Sequence, residues 1–313
     1  MILSVSRRTD IPNYYSEWFL NRIREGYLYV KNPLNAHQIS RIDLSPDVID
    51  CIVFWTKNPV NMIDKLEELK EYQYYFQITL TGYGRDVEPN IPDKNKVIIP
   101  AFRELSEKIG KKRTIWRYDP ILINEKYTKE YHYRAFEKIA DELKEHTEKV
   151  IISFVDLYAK TRRNTAGLHI ENTENKEMVE IAAGLAEIAH DHGLVIESCA
   201  EAIDLETVGV EHGHCIDRKL IEELIGCPLK VRKHTNERPE CGCMECIEVG
   251  AYDTCKNGCK YCYANYNTER VISRCHLYDE NSPLLCGQVN EEAGDKITVR
   301  KVESLKERQI SLF

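Results

Sequence analysis

Three cysteines, Cys255, Cys259 and Cys262, stand in the stretch TCKNGCKYCYAN with the spacing C-x3-C-x2-C. Three thiolates hold three irons of a [4Fe–4S] cluster and leave the fourth iron open. An open iron can chelate the amino and carboxylate groups of a small molecule. Gly258 permits the tight loop that such ligation needs. Tyr261, between the last two cysteines, is expected to pack against the cluster. Zinc is the other reading. It takes four ligands, commonly from paired C-x2-C units. Cys259 and Cys262 form one such pair, and Cys243 and Cys246 form another upstream.

The remaining cysteines extend the argument. The chain has twelve, most of them between Cys227 and Cys286. Clustering of this kind favours metal ligation over a disulfide framework in a reducing compartment. Cys241 and Cys243 form a C-G-C pair, Cys199 follows a predicted strand in ESCAE, and Cys215 lies in EHGHCID. Together these four can ligate all the irons of a second cluster, for electron transfer or substrate anchoring. Cys246 is a rival ligand, and a mixed zinc site with His212 or His214 is the alternative. Cys51, inside an apolar run, reads as packing. Cys227, Cys275 and Cys286 carry no partner pattern.

Such ligands need a rigid frame. Short apolar runs at 2–6, 51–56, 74–81, 113–118, 150–156 and 194–200 alternate with amphipathic stretches. That alternation predicts parallel strands in βα units, and their number suggests a barrel or partial barrel. After the strands come SRRTDIP, WTKNP, TLTGYGRD, WRYDP and FVDLYAKTRRN. In a parallel α/β barrel these positions ring one mouth, where active sites are built. Asp10, Asp119 and Asp156 read equally as helix N-caps, and the basic residues as solvated loop positions.

The 313 residues are 42% hydrophobic and 30% charged, as in globular proteins. No apolar run approaches the roughly 20 residues that span a bilayer, so no membrane partner is expected. The N-terminal MILSVSRRTDIP lacks a basic-then-apolar signal pattern, so the expected location is cytoplasmic. The formal net charge of −8 counts against a tight non-specific grip on nucleic acid.

The motif C-x3-C-x2-C with KYCYAN resembles the radical S-adenosylmethionine superfamily. WTKNP, TLTGYG, EPNIP and RYDPI, in that order, resemble its spore photoproduct lyase-like branch. The whole chain also looks like a bacterial and archaeal family of unknown function, with SRRTDIP near the start and YDTC-x3-C-x2-CYAN near the end. The superfamily's cluster loop follows the first barrel strand, whereas here the equivalent strand, IEVGAY at 247–252, comes last. The resemblance therefore implies a partial (β/α)6 TIM-like barrel, circularly permuted, with strand 247–252 beside strand 2–6. Residues 1–235 would supply βα units, 236–286 the iron–sulfur segment, and 287–313 a polar tail.

The resemblance also implies chemistry. A reduced cluster at Cys255, Cys259 and Cys262 would split S-adenosylmethionine into methionine and a 5′-deoxyadenosyl radical that abstracts hydrogen from substrate. Arg7, Arg8, Thr79, Arg117, Asp119 and Asp156 would contact that cofactor, and flavodoxin or ferredoxin would donate the electron. SRRTD stands where the superfamily carries a glycine-glycine-acid run.

The chain ends in QISLF. This resembles the motif by which bacterial replication and repair proteins bind the sliding clamp. Leu312 and Phe313 would fill an apolar pocket while Gln309 bonds at its rim. The alternative is docking of two apolar residues onto the protein's own surface. A clamp tether would bring the protein to DNA without a basic surface. Arg7, Arg8, Lys57, Arg117, Lys160, Arg162 and Arg163 would then meet phosphates. The expected function is radical S-adenosylmethionine chemistry in DNA repair or nucleic-acid modification. A peptide or metabolite substrate is one alternative. A zinc-stabilised, non-enzymatic protein that recruits partners to the clamp is another.

Overall fold

The computed structural model describes residues 1–157, 159–230 and 240–307. Strand β1 (Ile2–Val5) is followed by helices α1 (Ile11–Tyr14) and α2 (Ser16–Glu25). Strands β2 (Tyr27–Asn32) and β3 (Asn35–Asp43) form a hairpin. Strand β4 (Cys51–Thr56), α3 (Val60–Ile63), β5 (Tyr74–Thr79), α4 (Ile99–Ile109), β6 (Thr114–Ile121), α5 (Lys129–Leu143) and β7 (Lys149–Phe154) then alternate. Helices α6 (Ala159–Thr165) and α7 (Asn175–Asp191) lead to β8 (Val195–Cys199), β9 (Glu211–Gly213) and α8 (Arg218–Ile225). Strand β10 (Ile247–Val249), α9 (Thr268–Cys275) and β11 (Lys296–Val299) complete the chain.

Eight strands form one parallel sheet in the order β10-β1-β4-β5-β6-β7-β8-β9. The late strand β10 pairs with β1 in the register Leu3↔Ile247, Ser4↔Glu248, Val5↔Val249. The expected count of six strands is therefore corrected to eight, and no closed barrel is shown. Strand β9 is only EHG, too short and polar to announce itself by periodicity. The hairpin and β11 form a second sheet in the order β11-β3-β2, so part of the segment read as a polar tail is structured. The amphipathic stretch after β4 is not one continuous helix but α3 followed by a 3-10 turn at Leu66–Leu69.

Strand alternation divides the interior in two. Leu3, Val5, Ile52, Phe54, Phe76, Ile78, Trp116, Val150 and Ile152 face the helices and form the main core. Their neighbours Ile2, Cys51, Val53, Tyr75, Ile115 and Ile151 face the other way, against Cys215, Ile216, Cys241, Cys243 and Cys246. Both faces are covered, which is why these strands read as nearly continuous apolar runs. Cys51 is fully buried there, as expected for packing. The cysteine-rich segment is thus an inner layer of the fold, folded back across the sheet. Among the described residues, no helix is long and apolar enough to cross a membrane.

Candidate functional site

Asp10 is the first organiser of the Cys255–Cys262 loop. It caps α1 by accepting from the Asn13 amide, and it also accepts from the Thr56 hydroxyl at 2.6 Å and the Lys57 amide at 2.9 Å. Asn257 Nδ2, inside the cysteine loop, donates to the same carboxylate at 2.9 Å. The loop is thereby tied to the chain ends after β1 and β4. Burial pushes the Asp10 carboxyl up, against the pull of Thr56 and the other donors. Tyr14 OH donates to Asn257 Oδ1 at 2.9 Å, and Tyr15 OH to the Thr254 carbonyl at 2.6 Å.

The segment after β5 closes the other side. Asn90 Nδ2 donates to the Lys256 carbonyl at 2.8 Å, and the Lys260 amide to the Val87 carbonyl at 2.9 Å. Gly258 has φ +69, and a Cβ there would stand 3.0 Å from Asn90 Nδ2 and 3.1 Å from Pro89. Both the backbone and that close approach favour glycine here. Cys259 is buried, while Cys255 and Cys262 are half-buried. Burial pushes all three thiols up, Cys259 to about 12 against the opposing charge of Lys57. Ligation therefore has to include loss of these protons.

Beneath the loop lies a polar group that sequence reasoning did not single out as a site. Glu88 Oε1 accepts from Lys57 Nζ at 2.7 Å and from the Tyr261 hydroxyl; Oε2 accepts from Lys94 Nζ and, at 3.1 Å, from Thr81. Burial alone would raise the Glu88 carboxyl, but the two ammonium groups hold it down to about 2. Tyr261 therefore turns inward, its hydroxyl on Glu88 and its ring 6.1 Å from that of Tyr83. The signal was the EPNIP motif itself, whose glutamate is Glu88.

The expected cofactor contacts separate into several places. Arg7 donates to Glu248, through its amide at 2.8 Å and Nε at 3.4 Å, and to Cys246 Sγ at 3.5 Å. Glu248 also accepts from Ser4 at 2.6 Å and from Ser6. Arg8 lies 5.0 Å from the Tyr252 ring centroid. Thr79 is half-buried and in register with Arg117. Asp119 is spent on an ion pair with Arg117 and does not cap a helix. Asp156 is exposed in the loop after β7.

A second gathering of thiols lies on the inner face. Cys199 Sγ is 2.9 Å from Cys215 Sγ. Cys215 interacts in turn with Cys243, and Cys243 with Cys241. Arg117 Nη1 donates to Cys215 Sγ at 2.9 Å and to Gln77 Oε1 at 2.6 Å. A further pair was not legible in the sequence: Cys275, at the end of α9, interacts with Cys286 and lies 3.2 Å from Tyr15 OH. Among the described residues, no three His, Cys, Asp or Glu side chains are arranged to hold a metal ion as they stand. Gln309, Leu312 and Phe313, and with them the clamp motif, lie outside the described residues.

Fold and site define an α/β protein with a parallel eight-stranded sheet and two groups of buried and half-buried thiols on or beside it. Residues 2–264 match the model of a domain of unknown function, DUF1848, and the chain belongs to that family. This corrects the expected membership of the radical S-adenosylmethionine superfamily and its spore photoproduct lyase-like branch, from which DUF1848 is distinct. The short motifs that carried the resemblance occupy few positions, whereas the family match runs over most of the chain. No curated protein matches. Solved structures with some likeness include a putative α-L-fucosidase from Bacteroides thetaiotaomicron, at 12% identity over 56% of this chain and 72% of that one, TM-score 0.27. Another is the pneumococcal exo-β-D-N-acetylglucosaminidase with tandem GH20 catalytic modules, at 11% identity over 76% of this chain and 68% of that one, TM-score 0.28. At such scores the likeness carries no argument.

Proposed function

We propose that this protein is an iron–sulfur enzyme that holds a [4Fe–4S] cluster on Cys255, Cys259 and Cys262 and cleaves S-adenosylmethionine reductively, acting on nucleic acid in repair or modification. The observation that carries the reading is one loop bearing three thiols, held by side chains from the segments after β1 and β5, with Lys57 after β4 lying over the Tyr261 ring. Three thiolates from one loop suit a cluster with an open iron better than a closed zinc site with four protein ligands. Such a cluster supplies one-electron cleavage of a sulfonium C–S bond and so hydrogen abstraction from a substrate. Asp10 and Asn257 orient the loop, and Gly258 lets it turn against Asn90. The buried Lys57 places positive charge near Cys259, which favours the thiolate.

On this reading β10 is the first strand of a partial, circularly permuted barrel that is encoded last. Its parallel pairing with β1 supports that arrangement. A reducing cytoplasm, with flavodoxin or ferredoxin as electron donor, suits twelve free thiols. The nucleic-acid substrate is supported by interleaved cations and rings on either side of the cysteine loop. Arg8 and Lys160 lie 5.0 and 5.5 Å from the Tyr252 ring, and Arg163 and Arg270 lie 4.0 and 4.1 Å from the Tyr266 ring. Aromatic faces with neighbouring cations are the elements by which proteins hold single-stranded nucleic acid. The sequence QISLF supports delivery to DNA by the sliding clamp.

The test is anaerobic reconstitution with iron and sulfide, then addition of dithionite, S-adenosylmethionine and single-stranded or damaged DNA. Methionine and 5′-deoxyadenosine should form with the wild type and not with the variant C255A/C259A/C262A. A protein that binds zinc, takes up no iron and releases neither product would end the enzymatic reading.

A further inference from the structure

We infer that Cys199, Cys215, Cys241 and Cys243 hold a second iron–sulfur cluster, fully ligated by four thiolates and independent of the Cys255–Cys262 loop. The four come from three separate parts of the chain. Cys199 ends β8, Cys215 follows β9, and the C-G-C turn carries the other two. The fold nevertheless brings them into one connected row.

The surroundings hold the ligands in place. Tyr75 OH donates to the Cys215 carbonyl at 2.7 Å, and Gln77 Nε2 donates to the same oxygen. The Ile216 amide donates to Cys243 Sγ at 3.3 Å. Arg117 Nη1 stands 2.9 Å from Cys215 Sγ with its guanidinium 5.2 Å from the Trp55 ring centroid. A buried cation with its donor on a sulfur suits a thiolate better than a neutral thiol.

Two further observations bear on the group these thiols receive. One of the four, Cys241, lines a cleft of about 380 Å³ together with His212, His214, Glu240 and Gly242, among others. That space suits a body of several atoms, and the close-set row of sulfurs has to spread to receive it. His214 packs so closely over the C-G-C turn that a Cβ on Gly242 would overlap its ring. Its Nδ1 is buried without a hydrogen-bond partner among the described residues. Orphaned buried polar atoms are rare, and inorganic sulfide is an acceptor of the kind this nitrogen lacks.

Iron and acid-labile sulfide are counted after anaerobic reconstitution of the full chain with ferrous iron and sulfide. Wild type should hold about eight irons per chain, and C255A/C259A/C262A about four. C199A/C243A should likewise hold about four, with the Mössbauer signal of the fully ligated cluster lost. A wild-type count near four that persists in C199A/C243A and disappears in C255A/C259A/C262A overturns the proposal. One zinc per chain retained by C255A/C259A/C262A, in place of iron, overturns it as well. Neither count depends on S-adenosylmethionine cleavage, so failure of that activity leaves this test intact.

Discussion

Lys57 Nζ lies 2.7 Å from Glu88 Oε1, with the carboxylate almost wholly buried and Lys94 on its other oxygen. Removing that carboxylate leaves two ammonium groups facing each other away from water. Glu88→Gln should therefore destabilise the protein by about 3–5 kcal/mol, the usual cost of stranding a buried charge. The additional change Lys94→Met should recover part of the loss, because it removes one stranded charge. Urea denaturation of the metal-free protein measures both. A loss below about 0.5 kcal/mol for Glu88→Gln would mean the ion pair contributes nothing to the fold.

Gly258→Ala tests the loop rather than the core. An alanine at φ +69 costs about 1–2 kcal/mol in backbone strain, and Asn90 and Pro89 must also give way. Iron bound at Cys255, Cys259 and Cys262 should fall, and released methionine with it. Gly226→Ala is the control, since Gly226 has φ +71 with no atom within 4 Å of the added carbon. It carries the strain without the contact and should keep its iron. Equal iron loss in both variants would show that the loop has no special need of Gly258.

Most of the parallel sheet was legible in the sequence because strands covered on both faces are uninterrupted apolar runs. CIVFWT and YYFQIT are clear cases. The hairpin β2–β3 was not, since NAHQISRID is largely exposed and polar and has no core to enforce a pattern. Spacing exposed Cys255, Cys259 and Cys262 because one loop carries all three. Cys199, Cys215, Cys241 and Cys243 were grouped from their positions after strands and near the motif, and the fold does bring their sulfurs together. Glu88 was hidden as a site residue because its partners Lys57, Lys94 and Tyr261 converge only through tertiary structure. The partners of the arginines were hidden in a related way. Arg7 and Arg117 were expected to face the cofactor, and tertiary structure gives each an internal carboxylate partner, Glu248 and Asp119.

On the proposed reading, clamp binding through QISLF is separable from the chemistry. Deleting residues 309–313 should leave S-adenosylmethionine cleavage unchanged and abolish retention of the protein on immobilised sliding clamp. The anchors are two apolar side chains and one amide, so Leu312→Ala with Phe313→Ala should weaken retention at least tenfold, about 1.4 kcal/mol or more. Undiminished retention after the deletion would remove the clamp from the account of how this protein reaches DNA.

His132, which reaches Tyr261 of the cysteine loop through the ring of Tyr83, gives a prediction about acid stability. Its ring is buried between Tyr118 OH, at 2.8 Å from Nδ1, and the Leu122 carbonyl, at 2.9 Å from Nε2. Burial lowers its pKa from 6.5 to about 4, and the Leu122 carbonyl offsets only part of that. The folded state therefore resists protonation while the unfolded state accepts it. As pH falls below about 6.5 the unfolded state binds the extra proton, and stability declines until about pH 4, where the folded ring also titrates. The accumulated loss is of order 3 kcal/mol. His132→Gln keeps a polar side chain but removes the titration. It should lower stability at pH 7 yet flatten the decline between pH 6.5 and 4 relative to wild type. Urea midpoints measured across that range decide the matter. Parallel curves for the two proteins would show that His132 is not the group responsible.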